Sequence, residues 1–147
     1  MTKHPAATMA LLRAMLDLRI EFDILTEKVA KAAGLNPRDL GILDVLNAEG
    51  PRTPTELAYR TGIHAATLTA ILIRLERAAR VTRQPHPHDK RSTQVAISPA
   101  TVRELDGHYG DVNLALHIRL EKLAPTTQLT ITEFLKDVGA IARAGGP

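Results

Sequence analysis

The amino-acid sequence predicts a mainly α chain with one small β-hairpin, an α+β arrangement, and three observations carry that expectation. Apolar residues recur at helical spacing along most of the chain. Only two short runs, "RVTRQP" at Arg80–Pro85 and "STQVAIS" at Ser92–Ser98, alternate and carry β-branched residues. Proline and glycine fall where helices should start and stop, at Pro37, Gly50, Pro54, Gly62, Pro99 and Pro125.

At 147 residues the chain has room for one domain, or one domain with helical extensions, and for a real core. Aromatic residues make up only 3%, so that core has to come from Leu, Ile, Val and Ala. The sequence contains no cysteine, which excludes disulfides, thiolate metal sites and thiol redox switches. No apolar run reaches membrane-spanning length, and the stretch Met1–Leu16 lacks a signal-peptide cleavage pattern. A cytoplasmic location without membrane contact is therefore expected.

The first helix is expected from about Thr8 to Ala33. Leu11, Met15, Leu18, Phe22, Leu25, Val29 and Ala32 recur at spacings of four and three, which is a heptad stripe. Leu12, Leu16, Ile20 and Ile24 form a second row, and Arg13, Asp17, Glu21, Lys28 and Lys31 take the remaining face. The competing reading is an intramolecular core helix, but so wide an apolar surface exceeds what a small domain covers, and a partner subunit would cover it. Asn36 as N-cap, Pro37 at the first helical position and Gly50 at the end frame a second helix. Thr53-Pro54-Thr55-Glu56 reads as a capping box opening a third, with Leu57, Ala58 and Ile63 inward and Gly62 as its left-handed stop.

A fourth helix runs from about His64 to Ala79 with Leu68, Ile71, Leu72 and Leu75 on one face. Beyond the two strand runs, Ser98-Pro99 opens a fifth that carries Val102, Leu105, Tyr109, Val112, Leu116, Leu120 and Leu123. Pro125-Thr126 is expected to break it and cap a last helix to about Arg143, with Leu129, Phe134, Leu135, Val138 and Ile141 apolar and "AGGP" as a frayed tail.

Two helices around a tight glycine turn, followed by a hairpin with a basic loop, is the order of a winged helix-turn-helix. Charge supports that reading. From Pro51 to Arg103 there are nine cations against three anions, whereas the rest of the chain carries 10 cations against 13 anions. Such segregation points to a polyanion met by the middle alone. The fourth helix begins with His64, Ala65, Ala66, Thr67, Thr69 and Ala70, all short except the histidine, so its tip fits a major groove about 12 Å wide. Ala66, Ala70, Ile73 and Arg77 lie opposite its packed face, with Thr67 and Arg74 beside them. An outward Ile73 suits thymine methyls, and Arg74 and Arg77 suit phosphates. Thr53 and Thr55 at the start of the preceding helix join the expected contact set, as do Arg83, His88, Asp89, Lys90 and Arg91 on the wing.

The stretch "PTELAYRTGIHAATLTAILIRLERAARVTRQPHPHDKRSTQVAISP" resembles the MarR family of bacterial transcriptional regulators, above all in Asp89-Lys90-Arg91, which matches that family's Asp-x-Arg wing signature. The long first helix and the two last helices match the family's dimerisation region in order and length. The resemblance implies a homodimer with interlocked terminal helices that presents two winged domains to a palindromic operator in double-stranded DNA. It also implies release of DNA by small, often phenolic or otherwise aromatic, ligands. Carried over by position, Arg91 looks like the wing arginine that enters the minor groove and Asp89 like its organiser. Thr67, Thr69 and Ala70 fall where the family's helix reads bases. Two positions depart from the pattern: Ala70 stands where arginine is common, and Ala79 where glycine ends the recognition helix.

The resulting partition is 1–34 and 100–147 for dimerisation, through Leu11, Met15, Leu18, Phe22, Leu129, Phe134, Val138 and Ile141, and 35–99 for DNA binding. His86 and His88 could both point one way, but two further zinc ligands are missing from their surroundings, so no metal site is expected. His108 and His117 are nine residues apart, which does not place both as ligands on one helical face. No local triad, Walker loop or dinucleotide fingerprint occurs, so neither catalysis nor a cofactor is expected. His108 and Tyr109 either border a ligand pocket or finish a core. A non-specific architectural DNA-binding protein and a protein-interaction module stay open beside the regulator.

Overall fold

The computed structural model describes residues 5–145. Six helices and one hairpin follow in the order α1 (Pro5–Ala32), α2 (Pro37–Glu49), α3 (Pro54–Thr61), α4 (Ala65–Arg77), β1 (Val81–Pro85), β2 (Thr93–Ile97), α5 (Pro99–Glu121) and α6 (Pro125–Ala144). The fold is thus mainly α with a two-stranded antiparallel wing, as the sequence leads one to expect. Among the described residues no helix is long and apolar enough to cross a membrane. The last two residues of the tail lie outside the description.

Local chemistry accounts for most boundaries. Asn36 Oδ1 accepts from the Asp39 N–H at 2.9 Å, Pro37 fills the first turn, and Gly50 (φ 80) closes α2. At α3 the capping box forms in both directions, Glu56 N–H to Thr53 Oγ1 at 3.1 Å and Thr53 N–H to Glu56 Oε2 at 2.8 Å. Ser98 opens α5 by accepting from the Thr101 N–H at its Oγ. Two expectations need correction. α1 starts three residues earlier than Thr8, because Pro5 is tolerated in a first turn, where its missing N–H has no intrahelical role. Thr126 does not cap α6: the N-cap is Ala124, with no side-chain cap. Gln128 Nε2 instead donates to Leu120 O and Leu123 O, so the carbonyls ending α5 are satisfied from the first turn of α6.

The core gathers Leu40, Ile42, Leu43 and Leu46 of α2, Leu57 of α3, Leu68, Ile71, Leu72 and Leu75 of α4, Val81 and Val95 of the hairpin, and Leu105 of α5. α1 adds only Val29 and Ala30 from its last turns. The hairpin pairs Val81 with Ile97 through Pro85 with Thr93. A third segment, which alternation did not reveal, joins it at one residue: Arg52 exchanges both backbone hydrogen bonds with Val95, at 3.1 and 2.8 Å. Compact packing divides the chain inside α5, into a unit ending at His108 and a second beginning at Tyr109.

Ala79 is where the departure from glycine matters. Helix α4 ends in a Schellman motif: Arg80 N–H donates to Leu75 O and Ala79 N–H to Glu76 O, both at 2.9 Å. The motif needs a left-handed residue, and Ala79 supplies it at φ 55. The end of α1 uses the same pair of bonds, Leu35 N–H to Ala30 O and Gly34 N–H to Lys31 O, with Gly34 at φ 68. Alanine in this region costs about 1–2 kcal/mol in backbone sterics, offset in part by the entropy glycine would lose. Ala79→Gly is therefore expected to stabilise the protein by about 0.5–1 kcal/mol and raise the melting temperature by a few degrees. An unchanged or lower melting temperature would show that this corner stores no strain.

Candidate nucleic-acid interface

The α3–α4 turn is built by short-range bonds. Gly62 sits left-handed at φ 69 and its N–H reaches Ala58 O, while Thr61 Oγ1 donates to Leu57 O and accepts from Ile63 N–H. His64 is the N-cap of α4, and its Nδ1 accepts from the Ala66 N–H at 3.4 Å. Leu68, Ile71, Leu72 and Leu75 are buried, which fixes the rotation of the helix. That rotation turns His64, Ala65, Ala66, Thr67, Thr69, Ala70, Ile73, Arg74 and Arg77 outward, and all nine are exposed. Thr55 is exposed too, whereas Thr53 is half-buried with its hydroxyl committed to the cap. Thr69 spends its hydroxyl proton on Ala65 O at 2.9 Å.

The basic side chains divide into two sets. Arg74 is clamped: its Nε and Nη2 donate to Asp39 Oδ2 and Oδ1 at 2.8 and 2.7 Å, a bidentate pair on a carboxylate that is 2% exposed. These hydrogen bonds first, and the Asp39 charge second, hold the Arg74 guanidinium above its ordinary range. Arg83 on β1 is tied to Glu76 of α4 at 2.8 Å, an ion pair that holds the wing's first strand to the recognition helix. Arg77, Lys90 and Arg91 are exposed and, among the described residues, make no ion pair.

The wing tip is organised by its own side chains. Asp89 Oδ1 accepts from the Arg91 N–H at 2.9 Å, and Asp89 O from the Ser92 N–H at 3.1 Å, which is the local shaping expected of Asp89. His86 closes the other side, its Nδ1 accepting from the N–H groups of His88 and Asp89, both at 3.1 Å. Sequence reasoning missed three partners here: Asp39, Glu76 and His86. Asp39 lies 35 residues from Arg74 and reads as a first-turn acid of α2, so no local pattern announces the pair. His86 was legible in principle, since a side-chain acceptor two and three residues ahead of free N–H groups is a turn-forming arrangement. Elsewhere, His108 is exposed at 4.0 Å from Glu104, and Tyr109 is half-buried.

A family model for the MarR family matches residues 33–92, the helix-turn-helix and most of the wing. Over these residues the chain is similar to the MarR family. The chain is similar to an uncharacterised HTH-type transcriptional regulator, YcgE, of Bacillus subtilis, 43% identical over 75 residues. That match covers 51% of this chain and 47% of the relative, so the chain spans about half of that protein's length. The HTH-type transcriptional repressor YetL of the same organism is 27% identical over 117 residues, covering 76% of this chain and 70% of its own. Among solved structures, a variant of MarR from E. coli complexed with operator DNA superposes with a TM-score of 0.56 at 22% identity, covering 93% of this chain and 99% of that one. At that identity the likeness shows the shared MarR winged-helix fold.

The clamp makes a prediction about Arg74. Arg74→Ala would leave a buried carboxylate unpaired, and Arg74→Lys could not reproduce the bidentate geometry. Both are expected to lower the melting temperature of the DNA-free protein, Arg74→Ala by roughly 5 °C. Combining Arg74→Ala with Asp39→Ala is expected to cost less than the sum of the two singles in thermal denaturation. If Arg74→Ala left the melting temperature unchanged and only weakened DNA binding, Arg74 would be a phosphate ligand and not a clamp.

Proposed function

We propose that this chain is a homodimeric, sequence-specific DNA-binding transcriptional regulator of the MarR family that acts as a repressor. Residues 35–99 bind DNA, and 1–34 and 100–147 dimerise. The observation that carries the reading is the outward face of α4, slim from Ala65 to Ala70, ending in the unpaired cation Arg77 and tied through Glu76–Arg83 to a wing whose tip holds unpaired Lys90 and Arg91. A face of small side chains allows close backbone approach to base edges in the major groove, with Thr67 and Ile73 as candidate readers. Arg77 fixes register on phosphates, and Arg91 reaches the minor groove beside the wing. The description of YetL as a repressor, and the operator complex of the E. coli protein, support the same assignment.

The dimer reading is supported by exposed apolar rows. Leu11, Leu12, Leu16, Leu18, Ile20, Phe22 and Ile24 of α1 are each 43–59% exposed, and α6 buries no residue at all. Such surface exceeds what monomeric proteins normally leave to water. A ligand site is supported by an open groove of ≈ 500 Å³ between the start of α2 and α4, lined by Asn36, Pro37, Arg38, Thr67, Ala70, Ile71 and Arg74. An aromatic acid seated there would meet Arg38 and compete with DNA for Thr67 and Ala70. One observation favours non-specific, architectural binding instead: with Ala66 and Ala70 apolar, Thr69 bonded to its own helix and Arg74 clamped, few groups remain for reading bases.

The deciding experiment is selection of bound duplexes from a random-sequence pool at near-physiological salt. An inverted repeat with half-sites about one helical turn apart is expected. Enrichment without a motif, with binding that collapses as salt rises, would establish the architectural reading. On the selected duplex, Arg91→Ala is expected to weaken binding about ten- to hundredfold while leaving the dimer and the melting temperature unchanged. Leu18→Glu or Phe22→Asp is expected to give monomers or aggregates by analytical ultracentrifugation, because each buries an unpaired charge in the interface. A stable dimer from either variant would remove α1 from the interface.

A further inference from the structure

The wing tip contains a device that phosphate contacts alone do not explain. His86 follows β1 directly, is half-buried, and stands in a segment where every other tip residue from Pro87 to Arg91 is exposed. Its Nδ1 is the acceptor for two consecutive backbone N–H groups, those of His88 and Asp89. Its own N–H donates to Ser92 O at 3.2 Å, closing the loop from the far side. The Asp89 backbone held in this way carries the carboxylate that accepts from the Arg91 N–H. The chain of contacts therefore runs from one imidazole nitrogen, through two amides and a carboxylate, to the residue that projects Arg91.

Accepting these N–H groups requires a lone pair at Nδ1, which leaves Nε2 to carry the ring's hydrogen. Protonation turns Nδ1 into a donor facing two donors. We infer that His86 is a positioning residue for the wing, holding the tip in its DNA-binding shape only as the neutral imidazole, so that acidification loosens the tip. This rests on the proposed contact of the wing with DNA. The titratable groups shown against the ring are His88 and Asp89, and Arg83, Lys90 and Arg91 are the other charged groups of the same hairpin. The His88 ring stands edge-on at 6.2 Å. From the neighbouring elements, Glu76 of α4 faces Arg83, and Arg52 bridges Val95 through its backbone. His88 and His64 also lie on the proposed DNA-facing surface, so the test has to isolate His86.

An asparagine at position 86 does so. Its amide oxygen can accept from the same two N–H groups, as Asx turns do, and it does not titrate. The full-length wild type, His86→Asn, His86→Ala and Arg91→Ala are titrated by fluorescence anisotropy at fixed salt, at about pH 8 and about pH 5.5, the range in which histidines change charge. The probe is the most enriched duplex from the random-sequence selection. At the higher pH His86→Asn is expected to bind like wild type and His86→Ala about five- to tenfold more weakly, as the loss of two backbone hydrogen bonds allows. At the lower pH wild type is expected to lose about five- to tenfold relative to His86→Asn, because the other histidines contribute equally to both. Parallel pH profiles for wild type and His86→Asn would overturn the inference, even with a weak His86→Ala, since ring bulk and not Nδ1 would then hold the tip. Wild-type affinity in Arg91→Ala would instead overturn the wing–DNA contact itself, and the inference with it.

Discussion

Four segments of the first unit meet at the guanidinium and backbone of one residue, Arg80. Its N–H closes the Schellman turn on Leu75 O, and its carbonyl accepts from Ser98 N–H where β2 gives way to α5. Its Nη2 donates to Ala33 O at the end of α1 at 2.6 Å, and its Nη1 to Glu104 Oε2 of α5 at 2.8 Å. The side chain is 16% exposed. A charge so placed is tolerable only because a carboxylate and a main-chain carbonyl compensate its desolvation. The end of α1, the exit from α4, the base of the hairpin and the first turns of α5 are thereby held in one arrangement. The orientation of the wing relative to the end of α1 and the first turns of α5 follows from that junction and not from the hairpin's own two-stranded pairing, which is too small to be rigid alone.

The same arithmetic of pairing decides which cations can meet a polyanion. Among the described residues, five of the nine cations between Pro51 and Arg103 are in ion pairs: Arg52, Arg60, Arg74, Arg80 and Arg83. Their partners are mostly acids from outside that segment, Glu49, Asp39 and Glu104, with only Glu76 inside it. Folding therefore brings acidic residues from the flanks onto the basic middle and spends much of its surplus on cohesion. The four that remain unpaired among the described residues are Arg77 at the end of α4, Lys90 and Arg91 at the wing tip, and Arg103 on α5. Most of the arginines build the platform, and few are left to touch what it carries.

This division marks where sequence is legible and where it is not. Caps and stops were readable because their causes are local: Asn36, Thr53 with Glu56, and Gly62 act on residues within four positions, and all three behave as their chemistry dictates. The buried faces of α2 and α4 were readable because periodicity records them. The eight exposed residues of α4 were readable as the complement of that periodicity. Charge pairing was not, since Asp39 and Arg74 are joined only by the packing of two helices, and a count along the chain treats Arg74 as available. Ala79 was recognised as unusual, but only coordinates show that the backbone keeps the left-handed turn and lets alanine bear the cost. Gln128 was missed because a side chain that reaches back to the preceding helix leaves no signature in cap statistics.

The terminal helices bear on function through energetics. Helices in proteins draw most of their stability from a packed apolar face. α6 buries nothing, although Leu129, Phe134, Leu135 and Ile141 lie along it at 45–71% exposure. α1 repeats the pattern over most of its 28 residues and packs only its last turns. Under the proposed dimer, the uncovered Leu, Ile and Phe of each helix would gain stability from a second copy. In that case dimerisation is part of folding and not a later event, and stability depends on protomer concentration. It also ties the two winged regions of a proposed dimer to one set of helices through the Arg80 junction, so the spacing of the two α4 faces becomes a property of the dimer core. Under this proposal, operator geometry is written in the apolar rows at the chain's two ends and only read out by the basic middle.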